Sequence, residues 1–274
     1  MRSAIASNGV WFLERDGSGP PIVMLHGIGS RGESFHPLMD ALPQRCLLLA
    51  WDQPGYGPSK PLARDWPLAE HYAEALESVL AERRLERVVL IGHSLGTRVA
   101  ASYARLFGER LSGLVLMSPS LGYGVPAGGP LPEAAQTRLV AFDALGPEAY
   151  AASRAPRLIH EPERHPRLVA KLAATMATMR HPGYRQAVRL LATGRLLDDV
   201  AATTLPYLIL CGEEDTITPP SAARRVESAC LARHGAAETR LALIANVGHM
   251  IYLEATTTAA AHVTDFANNV AWRS

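Results

Sequence analysis

The chain has 274 residues, 48% apolar and 19% charged, with a formal net charge of +1. This supports one sizeable α/β core, alone or carrying an insertion. The balanced charge gives no field to gather nucleic acid or an anionic membrane, and no uncharged apolar run is long enough to span a bilayer.

In chain order, Val10–Leu13 alternates weakly and reads as an early antiparallel strand. Ile22–Leu25, Leu47–Trp51, Val88–Ile91 and Leu114–Met117 are continuous apolar runs, the pattern of parallel strands buried on both faces. Helical periodicity is predicted over Glu70–Arg84 and Thr97–Phe107. After a long gap, strands at Tyr207–Cys211 and Leu241–Ile244 alternate with helices at Pro220–Arg233 and Thr256–Asn269. Strand and helix repeating in this way imply an α/β fold with a mostly parallel, doubly wound sheet. The gap, from about Gly122 to Asp198, opens on a Gly/Pro-rich loop and continues through Ala-, Leu-, Met- and Arg-rich helical segments. It reads as a helical insertion, so the expected division is a core of 1–122 and 199–274 with a cap of 123–198.

Between the strand ending at Ile91 and the helix from Thr97 stands Gly92-His93-Ser94-Leu95-Gly96. A serine at a sharp strand-to-helix turn, with glycines two places away on each side, is the form of a nucleophile elbow. The five residues alone carry little; the strand and helix around them give them meaning. A serine hydroxyl needs a base, a group that orients the base, and donors for an oxyanion. His249 follows the late strand in a turn, at the carboxyl edge of the sheet where ligands collect. Tyr207–Gly212 runs into Glu213, Glu214 and Asp215, three candidate orienting carboxylates. Asp215, beside the turn toward Pro219, is preferred, with Glu213 and Glu214 read as solvated loop charges. The order Ser94, Asp215, His249 is that of α/β-hydrolases. The Leu95 amide, at the start of a helix, is one expected oxyanion donor. Ile28, on the glycine-bearing loop His26-Gly27-Ile28-Gly29-Ser30, is the other. His26 is expected to hold that loop by hydrogen bonds. Gly27, His93 and Met250, flanking these groups, are expected to line the substrate site.

Asp52-Gln53-Pro54-Gly55-Tyr56-Gly57-Pro58-Ser59 has a G-x-G but neither a third glycine nor a P-loop lysine, so it reads as a tight turn closing one side of the site. Cys46, Cys211 and Cys230 show no C-x-x-C spacing, and an odd number suggests buried thiols in a reducing compartment. The first twenty residues contain charged Arg2, Glu14, Arg15 and Asp16 and no apolar signal core. A cytoplasmic monomer or homodimer is the expectation, with no metal and no cofactor.

These motifs together, His26-Gly27-x-Gly29, Asp52-x-Pro54-Gly55-x-Gly57-x-Ser59, Gly92-His93-Ser94-Leu95-Gly96, Gly212-x-x-Asp215 and Gly248-His249, are collinear along the chain except in the gap. On them the chain resembles the α/β-hydrolase superfamily, in its single-domain members with a helical cap. The resemblance implies Ser94 as nucleophile, His249 as general base then acid, Asp215 as its orienter, Ile28 and Leu95 as the oxyanion hole, and 123–198 as the cap. Ser94 disfavours the haloalkane dehalogenases and epoxide hydrolases, which carry aspartate at the elbow. Met250 stands where carbon–carbon bond hydrolases often have tryptophan. Similarity to enol-lactonases and small carboxylesterases suggests a serine hydrolase of a small ester, lactone or related carbonyl compound. The alternatives are a carbon–carbon bond hydrolase of the meta-cleavage-product type, or a non-hydrolytic member such as an acyltransferase, lyase, cofactor-independent oxygenase or ligand-binding protein.

Residues 123–198 carry nine arginines and one lysine against six acids. These read as a solvated outer face of amphipathic helices or, for one or two of them, as inward-facing partners of a substrate carboxylate. Leu172, Met176 and Met179 fall at helical spacing, either packing the cap on the core or forming an adaptable apolar wall.

Overall fold

In the computed structural model, which describes residues 1–234 and 239–270, the apolar runs assemble into one eight-stranded sheet. Its strands are β1 (Arg2–Ile5), β2 (Trp11–Arg15), β3 (Gly19–Leu25), β4 (Cys46–Trp51), β5 (Val88–His93), β6 (Leu111–Met117), β7 (Tyr207–Gly212) and β8 (Thr239–Ile244). They lie in the order β1-β2-β4-β3-β5-β6-β7-β8. The β1–β2 and β2–β4 pairs are antiparallel and every other pair is parallel. Ile22, Met24, Leu25, Leu90, Ile91, Leu114, Leu116, Ile209 and Leu210 are fully buried, as strands covered on both faces require.

The first strand was not apparent from periodicity. It is an edge strand, Arg2-Ser3-Ala4-Ile5, exposed at three of its four positions, so it carries no burial pattern to read. Strand β6 begins at Leu111, three residues before its apolar run, because the β5–β6 register shifts between Val88 and Val89 and draws Leu111 into the pairing.

The helices are α1 (His36–Ala41), α2 (Ala69–Glu82), α3 (Gly96–Phe107), α4 (Glu133–Arg154), α5 (Pro166–Met176), α6 (Gly183–Thr193), α7 (Leu196–Ala201), α8 (Pro220–His234), α9 (Ile251–Glu254) and α10 (Thr256–Val270). Helices α2, α3, α7 and α8 pack in sequence along one face of the sheet, and α1, α9 and α10 cover the other. The chain leaves β3 for β4 on one side and returns past it to β5 on the other, so β3 and β5 flank the point where strand order reverses. In doubly wound sheets the crevice at the carboxyl ends of such strands is where ligands bind. The loop from His26 and the turn at Ser94 both emerge there.

Between β6 and β7 the chain is helical, through α4 to α7 with two 3₁₀ turns. Helix α7 spans the expected boundary between 198 and 199 and packs on α3 and α8. Helix α4 is two helices across a bend: Gly146 has φ +73°, and Pro147 starts the second half. The inserted helices meet the core backbone to backbone. A Cβ on Gly183 would lie 1.9 Å from the Gly55 carbonyl oxygen, and one on Gly122 would lie 1.8 Å from the Gly194 carbonyl oxygen. Among the described residues, no helix is long and apolar enough to cross a membrane. All three cysteines are free and buried.

Candidate active site

Ser94 follows directly on β5, and its φ is +52°, a left-handed conformation that costs a non-glycine residue on the order of 1–2 kcal/mol. The turn is held from both sides: the Ser94 amide donates to the Met117 carbonyl at 2.9 Å, and the Thr97 hydroxyl donates to the Ser94 carbonyl at 2.6 Å. Glycine at 96 is required by space, since a Cβ there would sit 2.3 Å from the Leu25 carbonyl oxygen. Leu95 occupies the N-cap position of α3, and Ile28 lies on the loop after β3. The amides of Ile28 and Leu95 find no acceptor among the described residues.

His249 is 4% exposed and lies in the turn between β8 and α9. Its Nδ1 donates to Asp215 Oδ2 at 2.9 Å, which leaves the Nε2 lone pair free. Asp215 sits in the turn after β7, buried, and its carboxylate accepts three more hydrogen bonds. Oδ1 takes the Ile217 and Thr218 amides at 2.8 and 2.9 Å, and Oδ2 takes the Thr218 hydroxyl at 2.8 Å. Burial alone would push the Asp215 carboxyl up, but the His249 hydrogen bond and charge, with the Thr218 bonds, outweigh it and bring it to about 2. Glu213 and Glu214 are exposed.

The His249 backbone is pinned. Its amide donates to the Leu158 carbonyl at 3.0 Å, and its carbonyl accepts from His93 Nε2 at 2.9 Å and from the Ser118 hydroxyl at 3.1 Å. The Glu254 carboxylate, on α9, accepts the amides of Gly248 (3.0 Å), Met250 (3.0 Å) and His160 (2.8 Å), so one side chain ties the histidine turn to the inserted helices. No local pattern around Glu254 announces this clamp. Its partners are backbone amides, which any residue could supply.

His26 is fully buried, donating from Nδ1 to the Gly27 carbonyl at 2.8 Å and accepting the Gln53 amide on Nε2 at 3.0 Å. One nitrogen is used within the loop and the other on the Asp52–Ser59 turn, so His26 ties the loop to its neighbour. Burial, more than any other cause, lowers His26 to about 4 and His93 to about 3, so both are neutral donors or acceptors.

A cavity of about 250 Å³ opens above Ser94 and His249, at the small end for ligand pockets. Gly27, Ile28, His93 and Met250 line it from the core, with Tyr150, Leu172, Met176, Met179 and Tyr184 facing them from the insertion. Arg98, Arg138 and Arg154 also line it. The turn Asp52–Ser59, expected to close one side of the site, does not line the cavity; it abuts α6 through Gly55 and Gly183. Among the described residues, no group of three or more His, Cys, Asp or Glu side chains is placed to hold a metal ion.

Arg98 went unremarked in the sequence. It is 1% exposed, yet no carboxylate meets it among the described residues. Its guanidinium instead donates to the Ser120 carbonyl (2.8 Å) and hydroxyl (2.9 Å), to the Leu190 carbonyl (3.0 Å) and to the Leu191 carbonyl. Leu190 and Leu191 belong to the last turn of α6, where outward-facing carbonyls and the helix dipole favour a cation. Burial lowers Arg98 to about 9, which leaves it charged at neutral pH.

The chain matches the family model for the alpha/beta hydrolase fold over residues 20–256. An uncharacterised protein of Mycobacterium tuberculosis is 32% identical over 159 residues, 58% of this chain and 44% of that one, so the chain spans less than half of that relative. The pimeloyl-(acyl-carrier protein) methyl ester esterase of Aeromonas hydrophila is 30% identical over 224 residues, 76% of this chain and 82% of that one. Among solved structures, a thermophilic esterase from Thermogutta terrifontis superposes with a TM-score of 0.84 at 21% identity, covering 98% of this chain and 99% of that one. The enol-lactonase of Burkholderia xenovorans gives the same TM-score and identity over 97% of this chain and 100% of its own. With the elbow, the switch-point crevice and the sheet order already in place, the match over residues 20–256 makes this chain a member of the α/β-hydrolase fold family.

Proposed function

We propose that the protein is a serine hydrolase that cleaves small carboxylic esters, lactones or related carbonyl compounds through an acyl-enzyme. Ser94 is the nucleophile, His249 the base and then the acid, and Asp215 its orienter. The observation that carries this reading is the buried Nδ1–Oδ2 hydrogen bond of 2.9 Å between His249 and Asp215, with His249 lining the same cavity as Ser94, whose φ is +52°.

In this mechanism the Ser94 oxygen attacks the substrate carbonyl as its proton passes to His249 Nε2. Asp215 keeps the proton on Nδ1 and stabilises the imidazolium that forms. Negative charge on the carbonyl oxygen is met by the Ile28 and Leu95 amides, already in place and without competing acceptors; losing one such donor typically costs on the order of a hundredfold or more in rate. His249 returns its proton to the leaving alcohol, and a water activated by the same imidazole then frees the acid and Ser94. Residues 123–198 act as the cap, whose apolar wall limits bulk water at the site while leaving room for the one water that hydrolyses the acyl-enzyme. The relatives support the same reading: one is named as a methyl ester esterase and a structural neighbour as an enol-lactonase.

The test is hydrolysis of 4-nitrophenyl esters and labelling by a fluorophosphonate probe. Ser94→Ala is expected to lower kcat by at least a thousandfold and to abolish labelling, with an unchanged circular dichroism spectrum. Undiminished turnover in that variant would overturn the mechanism.

A further inference from the structure

The nine arginines of the insertion divide into kinds. Arg164 and Arg195 pair with Glu161 and Asp198, Arg189 bonds to Asp65, and Arg180 bonds to backbone carbonyls. Arg167 and Arg185 are exposed and stand outside the cavity. Arg138, Arg154 and Arg157 differ. Arg138 and Arg154 line the cavity above Ser94, and all three line a groove that shares Tyr150 and Ile217 with it. None of the three has a carboxylate or hydrogen-bond partner among the described residues.

This convergence is built into the backbone. Residues 138 and 154 are 16 positions apart (154 − 138), which along a straight helix would separate them by about 24 Å. The bend at Gly146 and Pro147 folds α4 so that both side chains face one cavity. A Cβ on Gly146 would touch nothing within 4 Å, so its φ of +73° is what calls for glycine there. Bringing like charges together is unfavourable: Arg154 is held below the usual guanidinium range by burial first and by the charge of Arg138 next. Arg98, deeper in the cavity, adds a positive charge whose hydrogen bonds are already spent on carbonyls and the Ser120 hydroxyl. Glu133 lines the same groove without an ion pair to either arginine, and a cationic pair left without a partner where the groove meets the cavity is a site for an anion, with guanidinium forks that match a carboxylate.

We infer that the substrate carries a carboxylate on the part lying farthest from the bond that is cleaved, held by Arg138 and Arg154, with Arg157 guiding entry along the groove. This rests on the hydrolase reading above and gives it a substrate class: monoesters of short dicarboxylic acids, or small lactones bearing a carboxylate. The carboxylate balances the paired cations, while its short chain lies against Leu172 and Met176.

The test compares two esters that differ only in charge, 4-nitrophenyl hydrogen glutarate and 4-nitrophenyl methyl glutarate. The wild-type protein is expected to show at least a tenfold higher kcat/KM for the anionic ester. That ratio is expected to fall toward one in Arg138→Gln/Arg154→Gln, to stay largely intact in Arg138→Lys/Arg154→Lys, and to be unaffected by Arg167→Gln. A ratio near one in the wild type, or an undiminished ratio in the double glutamine variant, would overturn the inference. Calorimetry on Ser94→Ala separates binding from turnover: monomethyl glutarate is expected to bind at least tenfold tighter than dimethyl glutarate. If neither nitrophenyl ester is cleaved while this preference holds, the hydrolase reading falls and the anion site stands. If both nitrophenyl esters are cleaved equally and monomethyl and dimethyl glutarate bind equally, the hydrolase reading stands and the anion site falls.

Discussion

Asp215 has its acceptor capacity filled: four donors converge on two oxygens, about as many as a carboxylate can take. Asparagine in its place must turn its amide nitrogen either toward the Ile217 and Thr218 amides or toward Thr218 and His249, and either way a donor faces donors. Facing His249, it would favour the tautomer with the proton on Nε2, which cannot accept from Ser94. Asp215→Asn is therefore expected to lower kcat for a 4-nitrophenyl ester by on the order of 10³–10⁴. Glu213→Gln and Glu214→Gln, in exposed neighbours, are expected to change it less than twofold. Steady-state kinetics on the three variants checks the choice among these adjacent acids. Ser94, Asp215 and His249 were legible because each sits in a short local pattern at a strand end. Arg98 and Glu254 were not, since both act on backbone groups contributed by distant segments. The arginines of α4 were legible only as a surplus of charge, because nothing in their spacing announces the bend that brings two of them together.

At the level of elements, the parallel strands could be read from continuous apolar runs because both faces of each are covered. The antiparallel edge at Arg2–Ile5 could not, having no buried face to give it a period. What joins the elements was also hidden. Arg98 on α3 holds the last turn of α6 and the Ser120 loop after β6, linking the elbow helix to the insertion. Arg98→Met would keep much of the side-chain volume and leave several buried acceptors without donors. It is expected to cost about 2–4 kcal/mol of stability, read as a lower urea midpoint. Arg98→Lys is not expected to restore it, because one ammonium cannot reach the same spread of carbonyls from the same stem.

For the whole molecule, the buried histidines set the response to acid. In the folded chain His26 stands at about 4 and His93 at about 3, both below the 6.5 of an exposed imidazole. As pH falls below 6.5 the unfolded chain takes up protons that the folded chain refuses, so stability is full above that value and declines toward the folded values. The loss is about 3 kcal/mol per histidine by pH 4. Asp215, with its folded value at about 2 against an ordinary 3.8, adds a further loss lower down, as pH drops from about 4 toward 2. Urea unfolding is expected to show little change in stability between pH 7.5 and 6.5 and a fall from there to 4.5, with a shallower slope in His26→Gln. Equal stability across that range would contradict the burial of two neutral imidazoles.

The glycine contacts at Gly55–Gly183 and Gly122–Gly194 have a meaning for how such a protein changes over time. Where two backbones touch with no side chain between them, neither partner can accept a larger residue alone, and a loop on one side is matched to a loop on the other. The insertion is thus keyed to this particular core and is poorly suited to wholesale exchange with that of a relative. New specificities on this scaffold are more accessible through single substitutions at α4 and α5 residues that line the cavity, such as Leu172 and Met176, than through recombination of modules.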